Sequence, residues 1–124
     1  MTTETTGSAA TAMKLRLRDD LRAAMAGRRA AEVAVLRTLL GALDQAEAVA
    51  AVARGREYVS LKFGDPATEV PRRPLSNEEV REVVRRERDE LRSAAEEYAR
   101  LNQADAAAGL ALKAEILERY LEPA

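Results

Sequence analysis

Three charged residues fall where helical periodicity expects apolar side chains. At about 100° per residue, Glu87 lies in the middle of the stripe formed by Val80, Val83, Val84, Leu91, Ala94, Ala95, Tyr98 and Leu101. Glu47 lies inside a second stripe, Val33, Leu36, Leu39, Leu40, Leu43, Ala46 and Ala50, with Arg37 on its border. Lys113 falls within a third, made by Leu110, Ala114, Leu117 and Leu121 and widened by Ile116 and Tyr120. Two carboxylates brought together by helix packing can act as general acid and base, or as half of a carboxylate metal site. Di-metal bundles of that kind use a Glu-x-x-His pair, and the sequence has no histidine. It has no cysteine either, so no thiolate nucleophile, thiolate metal site or disulfide is available. No hydroxyl sits in a nucleophile motif, and Gly55 and Gly64 make no phosphate-binding pattern. No catalytic residue, metal or cofactor is therefore assigned. The expected role of Arg37, Glu47, Glu87 and Lys113 is that of buried structural charges, with Glu87 matched by Lys113 or, failing that, by Arg37. Glu47 is expected to find Lys113, Arg37 or a tyrosine hydroxyl.

A second group of charges lies on the flank of the Glu87 stripe, where Arg81, Arg85, Arg88 and Arg92 form one line. Such a line can track a phosphate backbone, which makes these four the candidate phosphate contacts. No aromatic residues interleave with them, so base stacking is not indicated. The ordinary alternative is a solvated face, with Glu82 and Arg86, Arg85 and Asp89, Arg86 and Glu90, and Arg92 and Glu96 paired at i, i+4.

The elements that must position these groups are helical. Residues 75 to 101 carry the clearest signal, because Ser76 followed three residues later by Glu79 is a capping box ahead of an amphipathic run. Leu17, Leu21 and Met25, supported by Ala24, predict a short helix from Met13 to Ala26 that ends at Gly27. A second helix is expected from about Ala30 to Ala53, and a last one, capped by Asp105, to about Leu121. Residues 1–12 are small, polar and aperiodic and read as a disordered tail. Residues 54–74 contain two glycines and three prolines and read as a long loop. Within it Val59, Leu61 and Phe63 alternate with polar residues, a strand-like strip with no sheet to join. The expectation is one all-α domain over residues 13–124, with two antiparallel helical hairpins joined by the loop.

Composition limits the rest. Of 124 residues, 47% are hydrophobic, yet the aromatics are three Tyr and one Phe, so Leu, Val and Ala must build the core. The formal net charge of −1 hides an asymmetry. Residues 13–77 balance at +4 and residues 78–124 at −4, far from the strongly basic footprint of a dedicated nucleic-acid binder. Neither a membrane span nor a secretory leader is read, so a cytoplasmic location without membrane association is expected.

Taken in order, Leu36-Arg37, Ala42-Leu43, Ala46-Glu47, Leu75-Ser76-Asn77-Glu78-Glu79-Val80, Glu87, Tyr98 and Ile116-Leu117-Glu118-Arg119-Tyr120-Leu121 resemble the YqeY family within the GatB/YqeY group. The resemblance spans roughly residues 14–121. It implies kinship with the tail region of the B subunit of the glutamine-dependent tRNA amidotransferase, a carbon–nitrogen ligase with glutamine as amido donor. That region is associated with holding tRNA while catalysis proceeds elsewhere. The implied function is a non-catalytic adaptor whose partners are tRNA or an amidotransferase. A protein-interaction or self-association module, acting as a homo-oligomer without RNA, is the alternative. Family members carry a glutamate in place of Lys113 and continue past Tyr-Leu-Pro into a second helical domain. Here Tyr120-Leu121 is followed by Glu122-Pro123-Ala124, so that domain's role is expected to be absent.

Overall fold

The computed structural model describes residues 9–61 and 74–123, without the side chains of 54–61. Four helices follow in order: α1 Ala9–Ala26, α2 Ala30–Leu61, α3 Asn77–Arg100 and α4 Ala104–Glu118. The described residues contain no strand, and the fold is all-α. Two hairpins, α1 with α2 and α3 with α4, pack against each other through α2.

Both hairpin turns are three residues long and have the same backbone chemistry. After α1, the Arg29 amide donates to the Ala24 carbonyl at 2.9 Å and the Arg28 amide to that of Met25 at 3.2 Å. After α3, the Gln103 amide donates to Tyr98 at 2.9 Å and the Asn102 amide to Ala99 at 3.0 Å. Each pair is a Schellman closure, which satisfies otherwise orphaned carbonyls and needs one left-handed residue. Asn102, at φ 62°, accepts that conformation readily, whereas Arg28, at φ 56°, does so against its Cβ. The helix ends at Ala26, next to Gly27 as expected, but the left-handed residue of the turn is Arg28 and not the glycine.

The capping box forms as the sequence requires. Ser76 Oγ accepts from the Glu79 amide at 3.1 Å, and Glu79 Oε1 accepts from the Ser76 amide at 2.7 Å. The cap expected of Asp105 does not form. Gln103 occupies the N-cap of α4 without a side-chain bond, and Asp105 stands in the first turn, where its charge complements the helix dipole.

The core is aliphatic. Leu17, Leu36, Leu39, Leu43, Val80, Val84 and Leu117 are fully buried, with Tyr120 as its aromatic member. Leu21, Leu40, Ala46, Ala50, Leu91 and Leu121 pack partly against them. Three predicted stripe members are exposed: Met25, Tyr98 and Leu101, at 50%, 39% and 56%.

Two boundaries differ from expectation. Residues 9–12, expected in a disordered tail, are the first turn of α1, and Ala10 is buried in the core. The Ala9-Ala10-Thr11-Ala12 run is a good helix former, and burying Ala10 adds to that local preference. Residues 54–61, expected in the loop, continue α2. A single interior glycine such as Gly55 costs only about 1 kcal/mol relative to alanine, and the first helix-terminating proline comes at Pro66. The strand-like reading is thus overturned for Tyr58 to Leu61, which are helical. Residues 1–8 and 62–73, the remainder of the expected tail and nearly all the rest of the expected loop, lie outside the described residues. No helix of the described residues is long and apolar enough to cross a membrane.

Candidate functional site

The four arginines of α3 line up as their spacing requires, but the line is electrically compensated. Arg85 Nη2 reaches Glu78 Oε2 at 2.5 Å and Glu82 Oε1 at 3.2 Å. The Glu78 carboxylate first, and Glu82 second, hold this guanidinium above its already high ordinary pKa. Arg88 Nη2 lies 3.0 Å from Asp89 Oδ1. Arg92 pairs across the hairpin with Glu118 of α4. Among the described residues only Arg81 of the four has no ion-pair partner. These contacts are not the i, i+4 pairs expected. Arg85 instead uses acids one and two turns back along the helix, because α3 has a glutamate at both places. Exposed pairs of this type contribute little, so a polyanion could displace them cheaply. It would nevertheless meet the nearby carboxylates of Glu78, Glu82, Asp89 and Glu118.

The four charges expected to be buried are not. Arg37 is exposed, and among the described residues its guanidinium meets Met25 Sδ at 3.8 Å. Glu47, Glu87 and Lys113 are half-buried. Stripe membership alone put them inside, but a long charged side chain on such a face can bury its stem and carry its head toward solvent.

The partner of Glu47 comes from α1, not from Lys113, Arg37 or a tyrosine. Lys14 Nζ lies 2.5 Å from Glu47 Oε1 and 2.9 Å from Asp44 Oδ1. Its side chain is only 16% exposed. The Glu47 carboxylate first, and Asp44 second, raise the Lys14 pKa against the opposing effect of burial. This contact pins the first turns of α1 to the middle of α2.

Glu87 and Lys113 do share a site. They line a cavity of about 90 Å³ whose apolar wall comes from Val35 and Leu39 of α2, Leu91 of α3 and Leu117 of α4. They form no ion pair there with each other, which corrects the pairing expected. Desolvation, followed by repulsion from Glu90, pushes the Glu87 carboxyl above its ordinary pKa, and Arg86 acts in the opposite sense. Thr38 closes one side, its hydroxyl donating to the Ala34 carbonyl at 3.1 Å.

Periodicity did not identify the cluster at the end of α4. Tyr120, 3% exposed, donates its hydroxyl to Asp20 Oδ2 of α1. Arg16 stacks on the Tyr120 ring at 4.4 Å and donates to the Arg119 carbonyl at 3.2 Å. Beside it, Glu32, at 12% side-chain exposure, accepts from Arg29 at 3.0 Å and from Arg119 at 3.4 Å. The one local signal was the shared 3.6-residue phase of Arg16 and Asp20. Their partners lie about a hundred residues away.

Among the described residues no three acidic side chains gather where they could hold a metal ion. Comparison with protein-family profiles, with curated proteins and with solved structures gives no match.

Proposed function

We propose that this chain is a non-catalytic helical adaptor of the YqeY type that assists tRNA-dependent amidation by associating with a glutamine-dependent amidotransferase. The observation that carries the reading is where the residues of the resemblance lie. Leu36, Leu43, Val80, Ile116, Leu117 and Tyr120 converge on one core, and Ser76 and Glu79 set the entry to α3. The resemblance thus follows one packed unit and not a set of scattered matches. A protein partner is favoured over tRNA because carboxylates from α3 and α4 neutralise Arg85, Arg88 and Arg92.

Direct tRNA contact is the second reading, and Arg81 at the head of the row, without an ion-pair partner among the described residues, favours it. The two separate in one experiment: sedimentation of the purified chain with a purified glutamine-dependent amidotransferase, with tRNA alone, and by itself. Co-sedimentation with the enzyme in the absence of tRNA supports the first reading. Binding to tRNA alone supports the second. It should then weaken with salt by about 0.7 to 0.9 in log affinity per log salt for each phosphate contact, and weaken for all tRNAs alike on R81E. Binding to neither removes both, and a self-associating species would then favour the interaction-module alternative.

A further inference from the structure

We infer that the cavity between α2, α3 and α4 is a binding site for a small zwitterion, an α-amino acid of glycine or alanine size, whose ammonium group meets Glu87 and whose carboxylate meets Lys113. The site is distinct from the arginine row and does not depend on any macromolecular partner.

Three features of the cavity converge on this ligand class. The first is charge: the lining includes a carboxylate residue from α3 and an ammonium residue from α4, and the two form no ion pair with each other although they line the same small space. Among the described residues Glu87 has the nearby charge of Arg86 but no ion-pair contact, and a half-buried carboxylate in that position is stabilised by a partner that donates hydrogen bonds to it. A ligand with both signs of charge serves both residues at once. A simple cation or anion would serve one residue and face like charge at the other. The second feature is size. The volume of about 90 Å³ is well below the roughly 300 Å³ or more of ordinary small-molecule pockets. The smallest amino acids match a space of that size. The third is the lining: Val35, Leu39, Leu91 and Leu117 offer no hydrogen bonds, and the Thr38 hydroxyl is already committed to Ala34. The two charges are therefore the principal side-chain anchors, and the apolar wall lowers the local dielectric around them, which strengthens both contacts.

The test is titration of the isotope-labelled full chain with glycine, followed by amide NMR, beside parallel titrations with acetate and with methylammonium at matched ionic strength. Saturable shifts are expected at the amides of Thr38, Leu91 and Lys113, with half-saturation at a millimolar level. Acetate and methylammonium, each able to satisfy one of the two charges, should bind at least about tenfold more weakly, the cost of losing one charge-assisted hydrogen bond. E87Q and K113M should each weaken glycine by about the same factor while leaving the rest of the spectrum in place. Shifts that stay linear with glycine overturn the inference. So does acetate or methylammonium binding as tightly as glycine, or undiminished binding by both variants. The wild-type comparison decides the matter even if a variant fails to fold.

Discussion

Replacing Tyr120 with Phe removes a single hydrogen bond and leaves the surrounding packing in place. The ring keeps its place in the core and the Arg16 guanidinium 4.4 Å above it, so the change isolates the hydroxyl and its bond to Asp20. A hydrogen bond to a charged group contributes about 1.5–3 kcal/mol. Asp20 is only half-buried, and water can take over part of the lost bond, so the lower end, about 1.5 kcal/mol, is expected. Unfolding entropy of about 2.1 cal/mol/K per residue over roughly a hundred ordered residues gives about 0.2 kcal/mol/K, so the melting temperature should fall by about 7 °C. Tyr98→Phe is the control, because Tyr98 is 39% exposed, and it should change stability by less than about 0.5 kcal/mol. Thermal and urea melts of both variants check this, together with a cycle in which Asp20→Ala is combined with Tyr120→Phe. An unchanged melting temperature for Tyr120→Phe, or additive effects in the cycle, would refute the reasoning.

The same residue predicts an alkaline signature. Burial first, and the Asp20 carboxylate second, push the Tyr120 phenol well above its ordinary value of 10.0, while Arg16 and Arg119 pull it down. A folded pKa above the unfolded one gives stability that is intact below pH 10 and is lost as the pH climbs toward the folded value. The wild-type advantage over Tyr120→Phe should hold from neutrality to about pH 9 and shrink above about pH 10.

Three further outcomes are expected. Ser76→Ala removes the acceptor for the Glu79 amide and should cost about 1 kcal/mol in urea melts, whereas Ser93→Ala, at an exposed position on the same helix, should be neutral or slightly stabilising. Arg28→Gly should raise the melting temperature, because a left-handed residue with a Cβ carries roughly 1–2 kcal/mol of strain that glycine lacks; a fall would mean that the Arg28 side chain contributes more than its backbone costs. Glu87→Gln should be more stable than wild type at neutral pH, with the gap closing on acidification. The raised Glu87 pKa makes its contribution full below the ordinary 4.5 and lost as pH rises through the folded value, so urea midpoints that diverge toward low pH would contradict this.

The parts of the fold that could be read in the sequence were those decided within a few residues. The Ser76-Glu79 box fixes the start of α3 through bonds three positions apart, and the Leu36, Leu39, Leu43 spacing identifies a buried face because all three meet the same core. The α2 terminus was misplaced because a glycine in the interior of a helix and a glycine that ends one look the same in sequence, and only the surroundings decide. Ionic partners were the least legible. Lys14 finds Asp44 and Glu47 some thirty residues on, and Arg92 finds Glu118 on the next helix. Charge type and helical phase put a residue on a face, but they do not say which face of another helix lies opposite. The cavity lining has a partial signal, since Glu87 and Lys113 both interrupt apolar stripes, but stripe position does not decide whether the two form an ion pair.

The bond between Tyr120 and Asp20 also bears on the order in which the chain assembles. The α3–α4 hairpin closes over a three-residue turn and has its largest interface within itself, so its contacts are local and cheap in loop entropy. The Tyr120 hydroxyl, by contrast, meets a residue a hundred positions earlier, and that contact can form only once α1 and α2 have settled against the second hairpin. It should therefore be absent from the folding transition state. In stopped-flow kinetics Tyr120→Phe would leave the refolding limb where it is and move the unfolding limb upward. At about 1.5 kcal/mol the unfolding rate rises roughly twelvefold, so the cluster at the end of α4 acts as a late-closing latch that sets how long the folded molecule lasts.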